Sequence, residues 1–364
     1  MSLLSSCFNN LSSYNISLLN QISINNLQTL KIAYLVWVLI SFLNVPAAIL
    51  TFVAARKSKA MRGTTTNAFL QQANFCITIA SISFSIMGMV HISNWYFGIP
   101  ETQCRYACFI RISHQSLLFS LANTFILVMA VDRFFAMVTP LQYSNLIGTS
   151  CSNNSSVTNK RITKVKQEYQ QQNPPTVMVG EDELVRNISL TIWTLELLFY
   201  GLRFFDKMNP ILTACTFTMV EGRYSFYVLC CKLLFFGLLS IVLYLSAIFV
   251  VHKQHNGSTV VKDIANTNSS SLAEIRRRHQ KQMFKALTLH SVVQTFTLMV
   301  CYVKLLYGAV VLSDRGSTNG PYFTVLNTTS GLSNFIVYLI CLKVFRQNCV
   351  GLFTGSEPTT MFTN

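Results

Sequence analysis

The sequence predicts an all-α membrane protein: a bundle of seven spanning helices, N-terminus outside, closed by a short C-terminal surface helix. Three observations predict it. Apolar residues make up 51% of the chain and charged ones only 11%, against a charged share of about 25% in soluble domains. The apolar residues fall in long runs, where a soluble protein would show amphipathic stripes. The bases, 28 Lys and Arg against 13 Asp and Glu, gather in alternate loops, which is the positive-inside pattern. That pattern accounts for the net charge of +15 without a nucleic-acid partner. No zinc-type Cys-x-x-Cys pair and no catalytic Ser/His/Asp motif occurs, so no cofactor, no metal and no enzyme activity are expected.

The elements follow in order. Residues 1–29 are polar and rich in Asn and Ser. They lack Lys and Arg, so they do not read as a cleaved signal peptide; they form an extracellular tail. Asn10 and Asn15 head Asn-x-Ser triplets that can accept glycans, a pattern that Asn-rich segments also produce by chance. The bundle occupies 30–343. Helix one, about 30–55, exceeds the ~20 residues that a bilayer needs. The basic run Arg56-Lys57-Ser58-Lys59 after it places that end inside. Helix two spans about 67–91 and helix three about 106–134. Pro140 ends helix three, since it lacks an N–H and disfavours helical geometry before it. Residues 144–186 mix Ser, Asn, Gln, Pro and both charge signs, which predicts a disordered cytoplasmic insert. Helix four is short, about 188–205. Helix five covers about 224–252, and the third cytoplasmic loop, with its basic end Arg276-Arg277-Arg278, runs over 253–282. Helices six and seven cover about 283–312 and 322–342. Residues 344–364 form the surface helix and cytoplasmic tail, opened by Phe345-Arg346.

The stretch Asp132-Arg133-Phe134-Phe135-Ala136 through Pro140-Leu141-Gln142-Tyr143 ends a long uncharged run. An acid and a base there are costly in lipid unless they pair at the edge or inside a bundle. The stretch resembles the Asp-Arg-Tyr…Pro-Leu-x-Tyr signature of rhodopsin-like, seven-helix G-protein-coupled receptors, with Phe134 where Tyr is usual. Asn334-Phe335-Ile336-Val337-Tyr338 resembles that family's Asn-Pro-x-x-Tyr, with Phe335 replacing the proline. The resemblance implies a plasma-membrane receptor that binds an extracellular ligand and activates a heterotrimeric G protein. It implies that Asp132 and Arg133 form the switch, that Leu141 docks the G protein, and that Tyr244 meets Tyr338 on activation. It also implies a bridge between Cys108 and Cys215. Cys7 and Cys104 are either a second bridge or free thiols. Cys349 is either palmitoylated or buried. Trp95-Tyr96-Phe97-Gly98 is either the family's first outer turn or an interfacial aromatic belt. The divergence is similar to that of invertebrate, nematode-like chemosensory or orphan receptors.

Departures from the family pattern are also present. Helix two carries no Asp or Glu, so sodium regulation is not expected. Phe296 matches the helix-six phenylalanine, but Val300-Cys301-Tyr302 stands where Trp-x-Pro is usual. Helix five also lacks its proline, and helices without proline kink less. For the ligand, Arg111, His114, Gln115 and Phe119 lie on the outer turns of helix three. Gln115 stands where amine receptors carry an aspartate, which argues against a monoamine. Lys232 and Lys304 lie inside spanning runs, where lysine either lines a cavity or snorkels to the headgroups. With Glu196 as a candidate counter-ion, the cavity reading favours an anionic small molecule, with a peptide as the other ligand class. Two rivals stand beside the receptor reading. One is a seven-helix ligand binder that does not couple to G protein. The other is a transporter, which would need inverted repeats that the sequence does not display.

Overall fold

The structure, a computed structural model, describes residues 16–57, 65–98, 103–139, 179–204, 211–212, 223–257, scattered positions between 282 and 307, and 329–354. These residues are helical apart from turns and one two-residue ladder. In chain order they form α1 (Ile16–Lys57), α2 (Thr65–Tyr96), β1 (Gln103–Cys104), α3 (Arg105–Val138), α4 (Val179–Phe204), β2 (Ile211–Leu212) and α5 (Arg223–Gly257). The helical positions between 282 and 307 are called α6. The chain closes with α7 (Ser330–Cys341) and α8 (Lys343–Thr354). Four helices are long and apolar enough to cross a membrane among the described residues, over Tyr34–Arg56, Ala68–Tyr96, Cys108–Val138 and Tyr224–Val250. The pair α7 and α8 makes a fifth if taken together, bent by 111° between them.

Helix α3 is the axis of the bundle and packs against α2, α4 and α5. One hydrophobic core runs from Tyr34 and Trp37 on α1 through Phe84, Phe119 and Phe125 to Tyr338 and Phe345. The surface opposite is apolar too: Leu39, Phe42 and Leu43 on α1 and Phe235 and Phe249 on α5 are exposed. Helices apolar on all sides suit lipid. Where helices touch, small residues let the backbones approach. A Cβ on Gly331 would sit 2.8 Å from Ala48 Cβ on α1, and one on Gly237 of α5 would sit 2.8 Å from Thr295 Cγ2 on α6. Asn44 ties three helices together: its amide donates to Ser81 Oγ on α2 at 2.7 Å, and its Oδ1 accepts from Leu332 N on α7 at 2.7 Å.

Several sequence-predicted boundaries move. Helix α1 begins at Ile16, inside the segment read as a tail, because residues 16–30 recur in Leu and Ile at three- and four-residue spacing and hold no Gly or Pro. Helix α4 begins at Val179, so the last residues of the expected disordered insert are helical. Glu181, Asp182 and Glu183, which read as a disorder signal, fall within this helix. Helix α5 runs past 252 to Gly257, a residue suited to ending a helix. Helix α3 stops at Val138, two residues short of Pro140, as expected. The remainder of the insert, Pro140, Leu141, Asn10 and Asn15 lie outside the described residues. Trp95 and Tyr96, the last residues of α2, and Phe97 just after it are exposed, and Gly98 takes the left-handed conformation (φ 66°) that turns the chain.

Candidate functional site

Two polar clusters interrupt the apolar bundle, one at each end of α3. The inner one begins at Asp132, on the penultimate turn of α3. Thr65 Oγ1 donates to Asp132 Oδ1 at 2.9 Å, and Thr66 Oγ1 donates to Oδ2. Both threonines open α2, so the carboxylate also meets the positive end of that helix. Arg133 Nε lies 3.7 Å from Asp132 Oδ2, and the side chains are 16% and 11% exposed. That separation is an ion pair and not a direct hydrogen bond. Asp132 is therefore held chiefly by α2, and Arg133 is held electrostatically.

Above this pair, Tyr244 of α5 is fully buried, within electrostatic reach of Arg133, with Ser291 of α6 beside its hydroxyl. Tyr338 of α7 is equally buried. Its hydroxyl lies 3.3 Å from His290 Nδ1, the two rings stack at 5.7 Å, and Phe345 of α8 meets it edge-on. Asn74 of α2 sits beside the same phenol, and Tyr244 is close enough to act on it. Gln294 Nε2, one turn above His290, reaches Asn123 Oδ1 on α3 at 3.4 Å. Asn334, one turn before Tyr338, is buried, and its Nδ2 has no hydrogen-bond partner among the described residues. Arg346 folds back from α8, and its Nη1 donates to the carbonyls of Leu339 and Ile340 at 3.3 and 3.2 Å. This caps the end of α7 at the sharp corner.

The outer cluster joins α3, α4 and α5. Lys232 pairs with Glu196, and the lysine also donates to Ser120 Oγ at 2.9 Å. Ser120 and Thr124 of α3 donate to the two oxygens of Glu196 at 2.9 and 2.7 Å. The carboxylate is 5% exposed and the lysine 19%, so the snorkelling alternative for Lys232 is set aside. Arg203, 2% exposed, donates to Ser116 Oγ at 2.8 Å. The Phe199 ring lies between the two cations, 5.3 Å from Lys232 Nζ and 5.9 Å from Arg203 Cζ. Ser113, Ser116, Ser120 and Thr124 form one stripe on α3 because their spacing follows the helical repeat.

The expected ligand residues divide. Phe119 packs on Phe84 in the core, His114 hydrogen-bonds Ser83 of α2, and Gln115 donates to the same hydroxyl at 3.1 Å. Those three residues face α2, away from Lys232. Arg111 is half-buried further out on α3; the charges that act on Lys232 are those of Glu196 and Arg203. Lys304 and Cys215 lie outside the described residues. Cys108 is buried and disulfide-bonded. The antiparallel ladder Gln103↔Leu212, Cys104↔Ile211 brings the chain shortly before Cys215 to the outer start of α3. Cys349 is free but buried, facing the bundle from α8, which matches the buried alternative. Phe296 is 69% exposed and faces outward, whereas His290, Ser291, Gln294 and Thr295 face the core. No family model matches the chain, and no curated protein matches it.

Sequence reasoning passed over Asn44, Thr65, Thr66, Arg203 and His290. Arg203 carries the same signal as Lys232, a base in a spanning helix. Asn44 is a lone amide in a run of 20 or so apolar residues. The threonines stand where a helix opens, the usual place for such side chains.

Proposed function

We propose that this protein is a ligand-activated seven-helix receptor of rhodopsin-like type that signals through a heterotrimeric G protein at the plasma membrane. The observation that carries the reading is the inner cluster. An Asp-Arg pair at the inner end of the central helix sits next to two buried tyrosines from α5 and α7, and the arginine is the loosely held member. At rest Asp132 stays with Thr65 and Thr66, and Arg133 stays near Asp132. Activation swings the guanidinium toward the cytoplasmic cleft, where Leu141 and the basic end of the third loop complete the docking surface. Tyr244 and Tyr338 then brace α5 against α7.

The outer cluster supplies the ligand end. An anionic group competes with Glu196 for Lys232 and so loosens the junction of α3, α4 and α5. The Cys108–Cys215 bridge and glycans on Asn10 and Asn15 belong to the same outward-facing surface. A second reading, a seven-helix binder that does not couple, is favoured by the lack of proline in α5 and α7.

The test is nucleotide exchange on a panel of purified heterotrimers in washed membranes, with a library of carboxylate- and phosphate-bearing small molecules. At least one acid should raise exchange on at least one heterotrimer. If acids bind the surface-displayed protein and stabilise it to heat, yet no heterotrimer responds, the non-coupling reading replaces this one.

A further inference from the structure

A buried histidine at the junction of α6 and α7 is unused by the switch described above. The His290 side chain is 2% exposed. Its Nδ1 faces the Tyr338 hydroxyl at 3.3 Å. A phenol proton directed at Nδ1 makes Nδ1 the acceptor and leaves the ring proton on Nε2; Asn74 of α2 lies beside the same phenol, with no hydrogen bond to its Nδ2 among the described residues. The ring Nε2 and the Oε1 of Gln294 each lack a hydrogen-bond partner among the described residues, and the two side chains are neighbours one turn apart on α6. The neutral ring thus meets Tyr338 on α7, and its neighbour Gln294 reaches Asn123 on α3.

We infer that His290 is a proton-operated latch that makes the opening of α6 away from α7 depend on cytoplasmic pH. A proton added at Nδ1 turns the acceptor into a donor, so Nδ1–H and the Tyr338 O–H oppose each other. Among the described residues the charge also has no buried counter-ion in contact with it: Tyr338 on α7 faces the ring, and the neutral Asn74 on α2 and Tyr244 on α5 lie beside that phenol. On α3 the charges of the inner cluster are Asp132, already held by Thr65 and Thr66, and the cation of Arg133. A closed bundle leaves the imidazolium desolvated, whereas an open one hydrates it. Protons therefore bind the open state more tightly, and by linkage acidification shifts the population toward it.

This inference needs no ligand and no G protein, and it is tested without either. Spin labels introduced as non-natural residues at Lys285 on α6 and Gln347 on α8, both exposed, report the width of the inner cleft in the purified full chain. Between about pH 8 and about pH 4.5, a range that brackets ordinary histidine titration, the long-distance population should grow several-fold. In His290→Gln the side chain still offers an acceptor to Tyr338 but cannot titrate, so the distances should no longer move with pH. Tyr338→Phe should widen the cleft at the upper end of that range, because the latch loses its donor. An unchanged pH response in His290→Gln overturns the latch, as does a parent protein whose distances ignore pH while His290→Gln remains folded. A moving cleft in a protein that activates no heterotrimer removes the receptor reading and leaves the latch.

Discussion

The two polar clusters on α3 differ in how tightly their charges are held. In the outer cluster Glu196 accepts from Lys232, Ser120 and Thr124, so the carboxylate is saturated. In the inner cluster the Arg133–Asp132 separation is 3.7 Å and the His290–Tyr338 contact 3.3 Å, and the buried Nδ2 of Asn334 has no hydrogen-bond partner among the described residues. A saturated buried ion network resists rearrangement, and a partly satisfied one has alternatives close in energy. The comparison teaches where the molecule is clamped and where it is poised.

The largest effect is expected from breaking the clamp. Removing one partner of a buried pair leaves an uncompensated charge, at a cost of about 3–5 kcal/mol. Glu196→Ala or Lys232→Met should therefore collapse surface display and lower the unfolding temperature in detergent. Joint replacement of both by leucine should recover much of the loss. If Glu196→Ala proves as stable as the parent, the outer cluster is not the clamp.

A smaller effect is expected at the helix contacts that frame both clusters. Gly331→Val forces a side chain against Ala48 and Asn44, and Gly237→Leu against Thr295; overpacking of this kind costs about 1–3 kcal/mol. Gly201, with nothing within 4 Å of a Cβ, provides the control, and Gly201→Ala should be neutral. Thermal unfolding of the three variants ranks them directly. Equal melting of all three would mean the close approaches at Gly331 and Gly237 do not hold the bundle.

These residues also show how far the sequence could be read. The Asp132-Arg133 pair and the Lys232–Glu196 partnership were legible because a charge inside an apolar run must find compensation. The end of α3 was legible because Pro140 is a local chemical stop. The facing of residues was not, since α1, α2 and α5 are apolar on nearly every side and periodicity cannot say which side is inward. Hence Phe296, matched by its position in a motif, points outward, while His290 and Ser291 on the same helix point in. Ligand residues assigned by position alone were likewise split: Gln115 and His114 turn toward Ser83, one face away from Lys232. Thr65 and Thr66 were invisible as partners of Asp132 because their contact with it spans 66 or 67 residues of sequence.

The measurement closest to the central claim compares Asp132→Asn with Arg133→Ala at matched surface display, read by direct recruitment of a heterotrimeric G protein. Asp132→Asn removes the charge that restrains Arg133 while keeping an amide for Thr65 and Thr66, so ligand-free recruitment should rise several-fold. Arg133→Ala should abolish both that basal signal and the response to an activating acid, with binding of the acid unchanged. Recruitment by Arg133→Ala equal to that of the parent would contradict the account, since the loosely held guanidinium would then not be the group that engages the G protein.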